Sequence, residues 1–346
     1  MNIKSLLLGS AAALAAVSGA QAADAIVAAQ PEPMEYVRVC DAFGAGFFYI
    51  PGSETCLKIG GYVRFQTGFG RDLSGTSDWD SFTRAQLEID ARSDTELGTL
   101  RGFIGLRGDA DNSSNRGVNV DQAFIELGGL KVGYFYNWWD DGLSGETDDI
   151  GQNTLFNSIR YTYTAGSFYA GLSVDELESQ SATAQVAPFG VARAVDPNNN
   201  VGVSGIVGGK FGGVSVNVLG GYDTDQENGS IRGILTADVG PGTFGLAAVW
   251  SSGQNFYYDK AEWTVAAEYA VKVTDKFKIT PGFQYFWTID QNRFGDFVGS
   301  RDAWKAGLTF DYQLAKNLSA KASVQYYDPD RAQESWSGYL RLQRSF

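Results

Sequence analysis

Five carboxylates crowd the stretch Trp138–Phe156: Asp140, Asp141, Glu146, Asp148 and Asp149, in WWDDGLSGETDDIGQNTLF, with no basic residue among its 19 positions. Clustered carboxylates can hold a hard cation, move protons or set up an electric field. Calcium loops place oxygen ligands at alternate positions, and this spacing does not match that alternation. Proton chemistry by carboxylates alone carries no distinctive motif here. The chain also contains no histidine, which removes Ser-His and Cys-His nucleophile pairs and histidine metal sites together. No enzymatic activity, metal or cofactor is expected. A field remains, provided that something positive faces the acids; a long acidic segment is otherwise a solvated surface loop.

The elements that would carry the opposing charge are strands. The 346 residues include 43 glycines, 14% aromatics and only 19% charged residues, which suits many strands and tight turns better than a helical bundle. The formal net charge of −13 disfavours a nucleic-acid partner, which needs a basic face. Residues 1–22 read as a secretory signal: Lys4, an apolar run from Leu6 to Val17, and Ala20-Gln21-Ala22 before a cleavage point near Ala22/Ala23. That run falls short of the ~20 residues a membrane-spanning helix needs. Export implies an oxidising compartment, so Cys40 and Cys56 are expected to form a disulfide. Closing a loop of that size is worth roughly 3 kcal/mol in the chain-entropy model. Residues 23–56 would then be a flexible leader followed by a small closed collar.

From Leu57 to the end the polarity alternates with period two. Ile59, Val63, Phe65 and Phe69 oppose Lys58, Tyr62, Arg64 and Gln66; Ala85, Leu87, Ile89 and Ala91 oppose Arg84, Gln86, Glu88, Asp90 and Arg92. Side chains alternate across a strand, so each such segment has one apolar and one polar face. Sixteen candidate strands follow within 57–346, joined alternately by short Gly-rich or polar turns and by eight longer connections, at 71–78, 110–119, 139–156, 176–200, 224–229, 253–260, 289–301 and 328–334. An even strand count with unequal rims is the pattern of a transmembrane β-barrel. A soluble propeller or sandwich would alternate too, but has no reason for unequal rims. Aromatics near strand ends, such as Tyr134, Tyr136, Trp250, Trp287, Trp304, Tyr326 and Trp336, fit interfacial girdles. The last strand ends on Phe346, the terminal residue that outer-membrane barrels present to their assembly machinery.

The signal MNIKSLLLGSAAALAAVSGAQAADAIVA, the segment EYVRVCDAFGAGFFYIPGSETCLKIGGYVRF, the turn DTELGTLRGF and the ending RLQRSF resemble the general porins of alphaproteobacteria, the Brucella and Rhizobium type. The match is most specific at the two ends. The resemblance implies an all-β, 16-stranded antiparallel transmembrane barrel, a homotrimer, and a third loop folded into the pore. It implies passive diffusion of small hydrophilic solutes and ions across the outer membrane. The implied partners are outer-membrane lipid and lipopolysaccharide, and the barrel assembly machinery. A non-conducting structural barrel or a surface adhesin is the alternative; it would need a plugged lumen.

The acidic stretch follows the fifth candidate strand, so 139–156 is the third long loop. Arg64, Arg84 and Arg341 fall near mid-height on the polar faces of the first, second and last strands, which are neighbours in a closed barrel. Arg101 and Arg107 share the polar face of the third strand, and Lys131 and Arg160 lie on the strands flanking the loop. A positive wall facing a negative loop would put a field across the narrowest section. Neighbouring acids such as Glu88, Asp90, Asp109 and Glu126 could instead neutralise these bases one by one. The acid-rich total favours cations, while an Arg-lined wall favours anions.

Overall fold

The computed structural model describes residues 38–70, 79–111, 117–177 and 200–346. The expected signal, the leader and most of the connections 71–78, 110–119 and 176–200 lie outside them. A short strand, β1 (Phe48–Tyr49), precedes sixteen long ones: β2 (Cys56–Gly70), β3 (Trp79–Thr95), β4 (Gly98–Ala110), β5 (Val118–Leu127), β6 (Leu130–Tyr136), β7 (Leu155–Ala165), β8 (Phe168–Leu177), β9 (Asn200–Phe211), β10 (Val214–Asp223), β11 (Asn228–Val239), β12 (Gly242–Ser251), β13 (Trp263–Thr274), β14 (Phe277–Trp287), β15 (Ala303–Ala315), β16 (Leu318–Pro329) and β17 (Ser335–Ser345). Each pairs antiparallel with the next, and β17 returns to β2 with Leu342 opposite Phe65 and Arg341 opposite Gln66. The result is a closed barrel of β2–β17.

Closure follows from the alternation. Val63 and Phe65 on β2 are 48% and 50% exposed, while Arg64 and Gln66 turn inward and bond Gln343 and Arg341 of β17. An apolar exterior of this extent is unfavourable in water and suited to lipid. The ring also leaves no edge whose backbone groups would go unpaired in hydrocarbon.

The disulfide expected between Cys40 and Cys56 is present, and both half-cystines are buried beside Phe47. Strand β1 pairs with the start of β2, and the Arg92 guanidinium lies over the Phe47 ring at 5.1 Å. Phe346 donates its backbone N–H to the Gly61 carbonyl at 3.1 Å, which ties the chain end to β2.

One strand stops earlier than its pattern suggests. Hydrophobicity runs on to Trp138, yet β6 ends at Tyr136 and Trp138–Asp140 form a single 3₁₀ turn. The Asn137 side chain accepts from Trp139 N–H and so caps that turn. Tyr136, expected among the interfacial aromatics, points its hydroxyl to Asp121 at 3.1 Å with Arg107 beside it.

The barrel interior is unevenly filled. Trp139, Ile150 and Phe156 join Tyr257 and Tyr258, from the connection between β12 and β13, in one buried cluster. It rests on Ile206, Leu219, Ile234, Ala247 and Val249, all on the inward parity of β9–β12. Charged side chains line the remainder of the interior, along β13–β17 and β2–β4.

Candidate functional site

The acidic segment starts at Asn137 and ends at Thr154, whose carbonyl accepts the Asn137 N–H. Its contacts reach well beyond its own neighbourhood. Arg232 on β11, 1% exposed, donates to the carbonyls of Trp138 at 2.6 Å, Trp139 at 3.0 Å and Ile150 at 3.2 Å. Glu268 on β13 accepts from Ser144 N–H at 2.6 Å, Ser144 Oγ at 2.7 Å and Gly145 N–H at 2.8 Å. Gln284 on β14 accepts from Asp149 N–H at 2.7 Å and donates to the Asp149 carbonyl at 3.1 Å. Lys305 on β15 reaches Asp149 Oδ2 at 2.9 Å, and Lys321 on β16 reaches Glu146 Oε1 at 2.7 Å. These strands lie as far as eight places round the sixteen-strand ring from the segment's roots on β6 and β7.

The roots are anchored as firmly. Asp175 on β8 is 1% exposed and accepts from Asn137 Nδ2, Ser158, Ser173, Ser204 and the Tyr257 hydroxyl, all within 2.9 Å. Trp138 packs against Gly171 of β8, where a Cβ would come 2.6 Å from its ring, so only glycine admits the indole in this position.

The five acids divide by environment. Asp140 and Asp141 are exposed. Burial alone would raise the Glu146 carboxyl, but Lys321, Tyr339 and Arg341 beside it hold it below its ordinary value. Asp148 behaves oppositely: burial first, then the charges of Glu268 and Asp149, push it up to about 6, against the Leu143 N–H bond that favours its ionised form. A carboxyl with a raised pKa stabilises the docked segment fully below its ordinary value and loses that contribution as pH rises through the shifted one. Glu146 acts in the other sense, losing its contribution as pH falls through its lowered value. Docking is therefore expected to weaken as pH rises through about 6, where Asp148 loses its proton, and Asp140 and Asp141, raised by partial burial, act in the same sense. Asp148→Asn should flatten this trend, because it fixes a neutral group that still accepts from Leu143. Open-channel current noise recorded against pH in planar bilayers measures it; equal pH dependence in both proteins would refute the assignment.

The basic residues singled out from the sequence separate into three groups. Arg84 forms a two-pronged pair with Asp109 at 2.7 and 2.8 Å; Arg101 bonds Asp90 and Glu126; Arg107 bonds Asp121 at 2.7 Å. For these three, neighbouring strands supply the counter-charge. Arg64 and Arg341 instead donate to neutral amides, Gln343 at 2.8 Å and Gln66 at 2.7 Å, and lie over Tyr62 and Tyr339. Lys131 and Arg160 sit opposite each other on β6 and β7. Lys131 rests on Phe124 and Phe135, and Arg160 is 7% exposed beneath Trp138, 4.0 Å from its ring centroid.

The direct partners of the loop acids, Lys305 and Lys321, were not singled out, nor were Arg232, Glu268, Gln284 and Asp175. Each lies on the inward parity of its strand, a signal that sequence carries. Which of them meets the segment depends on the ring's diameter and the segment's path, which have no periodicity to read.

The chain matches the family model described as "Porin subfamily" over residues 24–343. It is 54% identical to outer membrane protein IIIA of Rhizobium leguminosarum bv. viciae, over 98% of this chain and 93% of that one. It is 32% identical to porin Omp2b of Brucella suis, over 100% of both. Among solved structures it resembles the outer membrane channel DcaP of Acinetobacter baumannii, with TM-score 0.66, 13% identity, and 86% of this chain and 99% of that one covered. It also resembles a trimer form of OmpT of Vibrio cholerae, with TM-score 0.60, 14% identity, and 85% and 100% covered. At such identities the structural likeness speaks for the fold.

Proposed function

Since the chain belongs to the porin subfamily and is an outer-membrane porin, we propose that segment 139–154 lies across its lumen and narrows the channel. The observation that carries this reading is the pair of ion bridges Asp149–Lys305 and Glu146–Lys321, made to the strands opposite the segment's roots. Small hydrophilic solutes and ions then pass through the part of the lumen that the aromatic cluster leaves open, between the segment and the wall of β13–β17 and β2–β4. Glu146 and Asp149 supply the negative side; Arg64, Arg341, Lys305 and Lys321 supply the positive one. Asp140 and Asp141, near the roots, and Lys131 and Arg160, covered by aromatics, act on the segment's position more than on the passing solute. Arg84, Arg101 and Arg107, paired with acids, shape the wall.

The functional unit is a homotrimer, as in the OmpT trimer form, held in outer-membrane lipid and lipopolysaccharide. Residues 1–22 direct export, residues 23–56 form a leader and disulfide-closed collar, and Phe346 is the feature read by the assembly machinery. No catalytic step is assigned, in keeping with relatives that are channels.

The field across the opening is testable through its positive side. Lys305→Gln with Lys321→Gln leaves Glu146 and Asp149 uncompensated, so the cation-to-anion permeability ratio should rise by about two- to fivefold, since fixed charge in a pore sets local ion concentration. Reversal potentials under a salt gradient measure it. An unchanged ratio in a conducting trimer would remove the segment from the narrow section, and absence of stepwise conductance in the wild type would favour a structural barrel or adhesin.

A further inference from the structure

The register of the last strands puts charge in a line. Lys272 of β13 stands opposite Lys278 of β14, Lys278 opposite Asp311 of β15, Asp311 opposite Lys321 of β16, and Lys321 opposite Arg341 of β17. All five lie on the inward parity; the row starts beside the short turn between β13 and β14, which adds Lys276, and rises along the wall to Lys321 and Arg341 beside Glu146. Adjacent strands lie about 4.8 Å apart, so this is a continuous row of four cations and one anion along five neighbouring rungs.

Two of its rungs break a local rule. Lys272 opposite Lys278 and Lys321 opposite Arg341 are like-charged cross-strand pairs, which destabilise a sheet. The acids do not cancel them. Asp311 is shared by Lys278 at 3.2 Å and Lys321 at 3.5 Å, and Glu146 takes Lys321. Lys272 and Arg341 form no ion pair among the described residues. The row opens on a cavity of about 420 Å³ whose wall carries six basic residues, the four of the row with Lys276 and Arg64, against two acids, Asp275 and Asp311. Violations of local pairing that persist in a fold mark sites where a ligand repays them.

Small size, an open polar wall and a surplus of cations at one-rung spacing suit a compact dianion whose oxygens can be shared by two or three donors. We propose that the row Lys272, Lys278, Lys321 and Arg341, with Arg64 and Lys276, is a binding site for the phosphate dianion, either free or as the head of a small organic monoester. It rests on the reading of the lumen as a solute path, and it makes the short-turn end of that path a place where phosphate-bearing solutes are held before release. The acidic total charge of the chain is overridden locally there.

The test uses the full mature protein refolded as its native assembly. Isothermal titration with inorganic phosphate should show binding in the millimolar range or tighter, and phosphate added to potassium chloride should reduce the chloride current through single channels at matched ionic strength. Lys272→Gln with Lys278→Gln, which leaves the Glu146–Lys321 contact in place, should weaken both effects by about tenfold, as removal of two charge contacts does. Asp311→Asn should strengthen them, a change of opposite sign that loss of folding could not produce. A phosphorylated hexose binding more tightly than inorganic phosphate would identify the monoester as the preferred form; equal affinity would identify the free ion. Titration that shows no phosphate binding to the wild type overturns the site whether or not channels are seen, whereas binding without conductance keeps the site and overturns the channel.

Discussion

Arg232→Ala is expected to release segment 139–154 while leaving the barrel closed. The guanidinium donates to the Trp139 and Ile150 carbonyls and lies 5.0 Å from the Trp139 ring centroid. Its bonds hold the two ends of the acidic segment, at Trp138–Trp139 and at Ile150, to one strand. Each buried carbonyl left without a donor costs about 1–3 kcal/mol, so docking should weaken by about 3–5 kcal/mol, roughly two to four decades in the docking equilibrium. Strand pairing around β11 is backbone to backbone and does not use this side chain, so assembly should persist. The expected record is a larger, noisier single-channel conductance and new protease cleavage between residues 139 and 154. Arg232→Lys restores charge but offers one ammonium point in place of a planar fork, and should recover only part of the effect. A quiet channel of unchanged conductance in Arg232→Ala would show that the bonds from Glu268, Gln284, Lys305 and Lys321 suffice.

The strand scaffold was legible because alternation is a local signal. Each of the sixteen candidate segments is a barrel strand, and the parity that put Arg64, Arg84 and Arg341 inside follows from period two. The paired cysteines were legible from compartment alone. What fills the lumen was not. Tyr257 and Tyr258 sit in a connection that read only as a long loop, yet both are fully buried against Trp139 and its neighbours. Their burial depends on inward Ile206, Leu219 and Ile234, three residues that in the sequence look like ordinary strand apolars. Trp138 read as the end of a strand because hydrophobicity does not record a cap; Asn137 ends that strand. Charge was only half legible. The sequence placed the arginines on the wall, but their closeness to Asp109, Asp90 and Asp121 depends on register, so Arg84, Arg101 and Arg107 are matched locally while Lys305 and Lys321 take the acids across the lumen.

Asp175→Ala should be the most damaging single change to the interior, because one carboxylate gathers donors from both inward segments and from three strands. Asn137 brings the root of the acidic segment, Ser158, Ser173 and Ser204 bring three strands, and Tyr257 brings the connection between β12 and β13. An ionised carboxylate only accepts, and here it meets five donors in a site with 1% exposure. Alanine leaves those donors unsatisfied at about 1–3 kcal/mol each, less whatever water enters the gap, so a loss of about 4–6 kcal/mol is expected. The consequence differs from that of Arg232→Ala. Both inward segments should loosen together, so tyrosine and tryptophan fluorescence from Tyr257, Trp138 and Trp139 changes along with conductance, and the heat needed to unfold the barrel falls. Asp175→Asn tests the cause, since it keeps the volume but presents an amide N–H₂ where donors already point. It should behave nearly as badly as alanine. If Asn instead restores the wild-type midpoint, shape holds this junction and the carboxylate's capacity to accept does not. If neither variant shifts the midpoint, the two inward segments are held independently, by Arg232 and its neighbours on one side and by the aromatic cluster on the other.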